Sequence, residues 1–229
     1  MKIILATNSK NKVREMKEIL EGINGIDGIL TMGEIGFTEE IKEDGETYAE
    51  NAKIKVMAVK KYIAKNVSNW QEYIIIGDDS GLEIEALCGA PGIYSHRFLG
   101  VDTGQDIKNQ KIVDLLNGLP KDAHYICFIV LYFPLRIEVS FSVMEGYIGN
   151  MVDRDGKNGF GYDPIFYVDG VSCASMDHET KLKLSHRYNA LKGAREQIER
   201  YIEHCNYWQK EPIVEEMEKS WGISNGQDK

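Results

Sequence analysis

Tyr73-Ile74-Ile75-Ile76 is an unbroken apolar run that leads straight into Gly77-Asp78-Asp79-Ser80-Gly81. A short apolar run bounded by turn residues reads as a buried strand, so two carboxylates are expected side by side in a turn at its end, at the mouth of a sheet. Like charges crowded into a partly dry site repel one another. A divalent cation removes that conflict, and Mg2+ is commonly held by one or two carboxylates together with substrate phosphates. An Asp-rich tight turn at a strand end has the same composition, so the segment alone fits either reading. Leu82 and Ile84 resume with period-two alternation after the expected turn.

The remaining segments supply an α/β frame around this feature. Lys2 to Ala6 reads as a short buried strand, followed by polar Thr7-Asn8-Ser9 and then by Val13, Met16, Ile19 and Leu20 at helical spacing, with Gly22 as the stop. Residues 29–32 suit a second strand, and 47–65 a helix with Ala49, Ala52, Val56 and Val59 among lysines. A helix is expected near 103–116, followed by long strands over 125–133 and 137–147 joined near Pro134 as an antiparallel hairpin. Residues 156–164 are rich in Gly and Asp and read as a loop, and a last core helix is expected over about 186–204. Beyond Pro212 the acidic and polar end reads as an appended helix and frayed tail. Strands alternating with helices, plus one hairpin, indicate an α/β protein with a mixed sheet.

Composition narrows the partners. The 229 residues are 43% hydrophobic and 28% charged, as in a soluble globular protein of one large domain or two small lobes sharing a core. The net charge is −9, from 27 basic and 36 acidic residues, and the basic ones are dispersed. Binding to long nucleic acid is driven by phosphate neutralisation along a basic stripe, so no nucleic-acid partner is expected, while a small anion can still be served by a few placed cations and a metal. Cys88, Cys127, Cys173 and Cys205 lie far apart without a C-x-x-C pair, which reads as buried free thiols in a reducing cytosol rather than as a disulfide framework or zinc site. The start lacks the profile of a secretory signal, and the longest apolar run, 126–133, is far short of the ~20 residues that span a bilayer. A cytoplasmic protein without a membrane partner is expected.

Four further clusters can carry chemistry. Thr7-Asn8-Ser9-Lys10-Asn11-Lys12 opens a helix, whose N-terminal N–H groups and partial positive charge attract phosphate. An N-cap with solvated lysines has the same composition, and no Walker A G-K-[ST] is present. Glu43-Asp44-Gly45 adds carboxylates ahead of a helix that carries Glu50, Asn51 and Lys55, which otherwise read as a solvated acidic loop and an amphipathic helix. Gly159-Phe160-Gly161-Tyr162-Asp163-Pro164 combines close backbone approach with flat faces for a base, or is a Gly-rich turn. Lys181 with Ser185-His186-Arg187 is a donor-rich set suited to a carbonyl or phosphate acceptor, or a helix start capped by Ser185.

Taken together and in this order, the segments resemble the Ham1-like inosine triphosphate pyrophosphatase family, the XTP/dITP diphosphatases. The matching stretches are LATNSKNKVREM (5–16), TYAENAKIKV (47–56), DDSGLEIEALCGAPGIYSHRF (78–98), GFGYDPIF (159–166) and SHRYNALK (185–192). The resemblance implies an elongated central mixed sheet flanked by helices, two lobes with the active site in the cleft between them, and a homodimer. It implies Mg2+-dependent hydrolysis of ITP, dITP and XTP to the monophosphate and pyrophosphate. On the matching positions, Thr7 to Lys12 correspond to the phosphate-binding turn, and Asp79 to the general base and a metal ligand, with Asp78 beside it as the alternative catalytic group to activate water. Ser80, Phe160, Gly161, Tyr162, Asp163, Lys181, His186 and Arg187 correspond to the substrate- and base-binding set, and Lys55 is placed to face phosphate. Counting back from Glu50-Asn51-Ala52 makes Glu43 the second metal ligand. The family often has Glu-Glu-Thr-Gly where this chain has Lys42-Glu43-Asp44-Gly45, so Asp44 and Glu46 are alternatives. Asn8-Ser9 also departs from a common Gly-Asn, and residues 207–229 have no counterpart, which sets the expected domain at 1–206 with a C-terminal extension of unknown role.

Four other readings make different demands. A nucleotide phosphatase with a similar metal site would release orthophosphate. A non-catalytic nucleotide-binding module would need the phosphate turn but not the paired aspartates. A Maf-like septum-associated pyrophosphatase would lack the SHR and FGYDP motifs. A dinucleotide-dependent oxidoreductase fits least, because no G-x-G-x-x-G follows the first strand.

Overall fold

A computed structural model describes residues 1–134 and 136–210. Seven strands form one mixed sheet: β1 (Lys2–Leu5), β2 (Ile29–Thr31), β3 (Tyr73–Ile84), β4 (Asp122–Phe133), β5 (Arg136–Ile148), β6 (Phe166–Val168) and β7 (Val171–Ser172). Their spatial order is β2-β1-β3-β4-β5-β6-β7, with β2, β1 and β3 parallel and every later pair antiparallel. Five α-helices flank the sheet: α1 (Lys10–Leu20), α2 (Tyr48–Asn66), α3 (Gln105–Leu115), α4 (His178–Leu184) and α5 (His186–Lys210). The α/β class and the mixed sheet expected from the sequence are present.

The length of the central strands elongates the molecule. At about 3.3 Å per residue, the 12, 12 and 13 residues of β3, β4 and β5 extend roughly 40 Å. Their two ends serve different cores. At one end Ile74, Ile76, Ile129 and Leu131 pack on α1 and α5, while Ile75 and Val130 pack on α2 from the opposite face. At the other end Leu82, Ile84, Tyr125, Met144 and Ile148 join Ile112 and Val113 of α3 and the 162–176 segment. The polar residues Asp78, Asp79 and Ser80 fall where one core stops and the next begins.

The structure corrects the expected acidic turn. Asp78 to Gly81 are not a turn: β3 continues through them, each residue paired with β4 from Gly77 opposite Val130 to Ile84 opposite Ala123. A ladder that satisfies the backbone on this side leaves no reason for the chain to reverse. The glycines allow close packing instead. A Cβ on Gly77 would come within 2.7 Å of the Ala52 carbonyl in α2, and one on Gly81 within 2.6 Å of the Tyr48 hydroxyl, as well as against the Gly92 carbonyl.

The last core helix also runs further than expected, from His186 to Lys210, so the boundary placed at 206–207 falls inside α5. The remainder of the expected extension, residues 211–229, lies outside the described residues. Cys127 and Cys173 are buried free thiols as expected, whereas Cys88 is exposed and Cys205 half-buried. Cys88 closes a short turn at φ 52° after the sheet has ended, where nothing packs over it. Among the described residues no helix is long and apolar enough to cross a membrane.

Candidate active site

Alternation along β3 separates the two aspartates onto opposite faces of the sheet. Asp78 points to the α5 side and is fully buried. Its carboxylate pairs with Lys12 Nζ at 2.7 Å and lies 3.5 Å from Arg187 Nε. Burial alone would raise its pKa, but Lys12, Arg187 and Lys55 outweigh it and hold the carboxyl at about 2. Asp78 is therefore a fixed negative charge. Arg187 fans out from it, with Nη1 donating to Glu15 at 2.8 Å and Nη2 to the Ser80 hydroxyl at 3.0 Å.

Asp79 faces α2. Its Oδ1 accepts the Ser80 N–H at 3.0 Å and lies 3.8 Å from Lys55 Nζ, while its buried Oδ2 has no hydrogen-bond partner. Burial pushes its pKa up, and Glu43 and Asp78 add to the rise against the pull of Lys55 and Lys12. Lys55 also contacts the Glu43 carboxylate, so a single ammonium separates two acids. The Glu43 loop is shaped from α2. Thr47 and Glu50 form a capping box, Glu50 also accepts the Glu46 N–H at 2.8 Å, and Asn51 accepts the Gly45 N–H at 2.9 Å. Glu50 and Asn51 are thus occupied in holding the loop. Asp44 pairs with Lys42 at 3.0 Å on the surface, whereas Glu43 is the acid of this loop whose charge acts on Asp79.

An enclosed carboxylate oxygen without a donor, beside a second acid, is a donor set that fits a divalent cation. Among the described residues no three His, Cys, Asp or Glu side chains converge into a complete cage. Two carboxylates open to a cleft are what Mg2+ needs when water and phosphate fill its remaining positions.

The cleft has a volume of about 1640 Å3, larger than the ~300–1,000 Å3 of ordinary small-ligand pockets. Thr7, Asn8, Ser9, Asn11 and Lys12 line it at the start of α1, opposite Glu43, Lys55, Asp79 and Ser80, with Phe160, Gly161, Tyr162, Asp163, His186 and Arg187 at another wall. Of the expected site residues, Lys10, Asp78 and Lys181 do not line it. Lys10 is exposed on the first turn of α1, Asp78 is fully buried beneath Lys12 and Arg187, and Lys181 is bound to Asp163 at 2.7 Å. Ser9 is the N-cap residue without a side-chain cap bond, so the opening N–H groups of α1 keep their capacity for an anion.

The 160–163 turn is held from three directions. Asp163 accepts the Phe160 N–H at 2.8 Å, the Tyr162 hydroxyl donates to the Ser95 carbonyl at 2.7 Å, and Asn109 Nδ2 donates to the Gly161 carbonyl at 3.1 Å. Gly161 adopts φ 63°, which a side chain would resist. Phe160 is left 36% exposed, with Lys181 Nζ 5.3 Å and Arg187 Cζ 5.9 Å from its ring centre. His186 stacks on Tyr125 at 4.7 Å, and its Nδ1 is enclosed without a partner. Desolvation, then the charges of Arg187 and Lys12, hold the imidazole well below its ordinary pKa and so neutral.

Sequence reasoning missed Glu15, Arg97, Gln105 and Asn109. Gln105 donates to Asn109 at 3.0 Å, and Arg97 Nη1 to the Glu43 carbonyl at 3.3 Å. Glu15 and Arg97 lie inside matched stretches, and only their long-range contacts, 172 and 54 residues away in the chain, reveal what they hold.

The model of the Ham1 family matches residues 3–197. A dITP/XTP pyrophosphatase of Desulforamulus reducens is 40% identical over 211 residues, covering 89% of this chain and 98% of the relative. One of Bacillus subtilis is 39% identical over 195 residues, covering 82% and 92%. Among solved structures, the Staphylococcus aureus Ham1 protein superposes with a TM-score of 0.74 at 32% identity, covering 88% of this chain and all of that one (100%). A HAM1 protein from Coxiella burnetii gives 0.72 at 32% identity, covering 89% and 99%. With its motifs gathered at one cleft and its sheet shared with these relatives, the chain belongs to the Ham1 family.

Proposed function

We propose that the chain hydrolyses non-standard purine nucleoside triphosphates (ITP, dITP and XTP) to the monophosphate and pyrophosphate, clearing them from the nucleotide pool. The observation that carries this is Asp79, a half-buried carboxylate whose enclosed Oδ2 has no partner, in a cleft it lines together with Glu43 and the phosphate-binding turn. Glu43 and Asp79 would hold Mg2+, which supplies charge neutralisation to the triphosphate when bound. Asp79 takes a proton from water, the water oxygen forms a bond to the α-phosphorus, and the bond from the α-phosphorus to the bridging oxygen breaks. Pyrophosphate leaves with that electron pair. Lys12, Lys55 and the N–H groups opening α1 stabilise charge on the phosphate oxygens as it redistributes. Asp78, locked by Lys12 and Arg187, anchors those cations rather than moving a proton.

Base selection is assigned to the other wall. Phe160 offers a stacking face, and His186 and Arg187 offer donors to the 6-oxo acceptor of hypoxanthine or xanthine. Adenine presents a 6-amino donor there, leaving buried groups unpaired at about 1–3 kcal/mol each. A panel of ITP, dITP, XTP, GTP and ATP with Mg2+ tests the reading, with pyrophosphate as the product and the first three as the preferred substrates. Orthophosphate from ITP would mean a phosphatase instead. The substrate is free nucleotide in the cytoplasm, with neither nucleic acid nor membrane as a partner; the net charge of −9 supports the absence of a nucleic-acid partner.

The working form is a homodimer, and the sheet has a face suited to it. Ile137, Val139, Phe141 and Val143 alternate along β5 on the side that α2 leaves uncovered, with Phe141 61% exposed and stacked on Phe128 at 5.2 Å. Exposed apolar stripes of this kind mark association surfaces. The stripe is symmetric in sequence about Phe141, Val139-Ser140-Phe141-Ser142-Val143. A two-fold axis lying in the interface across the strand at Phe141 sets Val139 of one copy over Val143 of the other, the self-complementarity an isologous contact requires. The same axis carries Glu145 toward the Arg136 end of the second strand. Light scattering should give twice 26.0 kDa for the wild-type chain and 26.0 kDa for Phe141→Glu. A monomeric wild type would remove the dimer.

A further inference from the structure

Arg97 is a cation of the cleft that the mechanism above does not use. It follows the short helical turn Gly92–Tyr94, and its guanidinium lies over the Tyr94 ring at 4.9 Å. One donor, Nη1, goes to the Glu43 carbonyl at 3.3 Å. The other cations that line the cleft are each matched to a carboxylate: Lys12 to Asp78, Lys42 to Asp44, Lys55 to Glu43, and Arg187 to Glu15 and Asp78. Arg97 is the exception, because among the described residues it forms no salt bridge. A guanidinium has five N–H donors in a rigid fork that matches phosphate oxygens. Here the ring stack and one carbonyl fix the fork while most of its donors stay unspent.

Its place along the cleft decides which phosphate it meets. From the base wall a chain of contacts runs from Arg187 to Ser80, then from Asp79 to Lys55, from Lys55 to Glu43, and from Glu43 to Arg97. With the base at Phe160 and the α-phosphorus at Asp79, the far end of that chain is where the β- and γ-phosphates extend. We propose that Arg97 binds the pyrophosphate half of the substrate and holds it as the leaving group. The inference rests on the pyrophosphatase reading and adds to it the residue that grips the departing product. Arg97 also ties the Glu43 loop to the opposite wall, since its carbonyl bond joins segments 54 residues apart.

The test is calorimetric binding of the two products, magnesium pyrophosphate and inosine monophosphate, to the full chain carrying Arg97→Gln or Arg97→Lys. Arg97→Gln is expected to weaken pyrophosphate about tenfold or more while inosine monophosphate stays within about twofold, one desolvated charge-assisted pair being worth ~1.5–3 kcal/mol. Arg97→Lys keeps the charge but loses the fork, and is expected to fall between. Pyrophosphate binding unchanged in Arg97→Gln overturns the proposal. Equal weakening of both products overturns it too, because that outcome assigns Arg97 to holding the Glu43 loop alone. Product release from ITP, scored on the same wild-type preparation, keeps the two readings apart. Orthophosphate release fails the pyrophosphatase reading, whereas pyrophosphate release with unaltered Arg97→Gln binding fails this proposal by itself.

Discussion

Asp79→Asn is expected to lower turnover of ITP by about 10³-fold, within the ~10²–10⁴ that a positioned general base contributes, and to leave the chain fully folded. The structure separates the two effects. Burial, Glu43 and Asp78 all work against the ionised form of Asp79, so an uncharged amide of the same shape removes a destabilising charge. The thermal midpoint should therefore hold or rise while kcat collapses. Asp78→Asn should do the opposite to stability. It strips the carboxylate from Lys12 and Arg187, whose side chains are 20% and 6% exposed, and leaves Glu15 as the one acid paired with Arg187, a loss of up to about 3–5 kcal/mol. The decisive measurements are kcat with saturating Mg2+ and ITP, together with the unfolding midpoint of both variants. Near-normal turnover by a folded Asp79→Asn chain would sink the assignment of Asp79 as base and metal ligand.

That contrast between neighbours could not be seen in the sequence, and the reason is geometric. Composition marked Asp78-Asp79-Ser80-Gly81 as polar residues after an apolar run, and polar residues there read as a turn. What keeps them in a strand lies elsewhere in the chain: β4, 45 to 51 residues downstream, pairs with each of them, and Gly77 and Gly81 admit the upstream Ala52 carbonyl and Tyr48 hydroxyl. Once the segment is a strand, period-two alternation sends the two carboxylates to different faces and different chemistry. Elements with their own local signal were legible. α1 is bounded by Ser9 and Gly22, α2 opens on Thr47 with Glu50 three residues on, and the β4–β5 hairpin turns near Pro134. The motifs likewise named most residues that line the cleft, because each carries a distinctive local composition. Glu15 and Arg97 escaped although they lie inside matched stretches, and Asn109 escaped on an ordinary helix, because no local pattern shows what they hold. Their partners, Arg187, the Glu43 carbonyl and the Gly161 carbonyl, come from other parts of the chain. The end of α5 was placed too early as well, although Cys205 continues the spacing of Ile198 and Ile202 past His204.

Arg187 is where the structure most alters what a substitution should do. As a residue of a donor-rich motif, it reads as a free reader of the purine 6-position. In the fold it is 5% exposed and already serves Glu15, Ser80 and Asp78. Arg187→Ala therefore mixes two losses: it takes one of two cations from the buried Asp78 carboxylate, which keeps Lys12, and it removes a donor from the base wall. Arg187→Lys separates them. A lysine keeps one positive charge near Asp78 but cannot fork to three partners, so the midpoint should fall by less than in the alanine variant. The ratio of kcat/KM for ITP over ATP should still drop about tenfold or more, the ~1–3 kcal/mol of one mispaired buried group. Ser80 loses its guanidinium partner in the same variant, which places the change beside Asp79 as well as at the base. A KM for ITP that rises while kcat is kept would locate the loss in base binding, and a fall in kcat would locate it in the Ser80 contact. If Arg187→Lys preserves the ITP to ATP ratio, Arg187 only supports the site, and the neutral His186, whose enclosed Nδ1 has no protein partner, is left as the group that reads the purine.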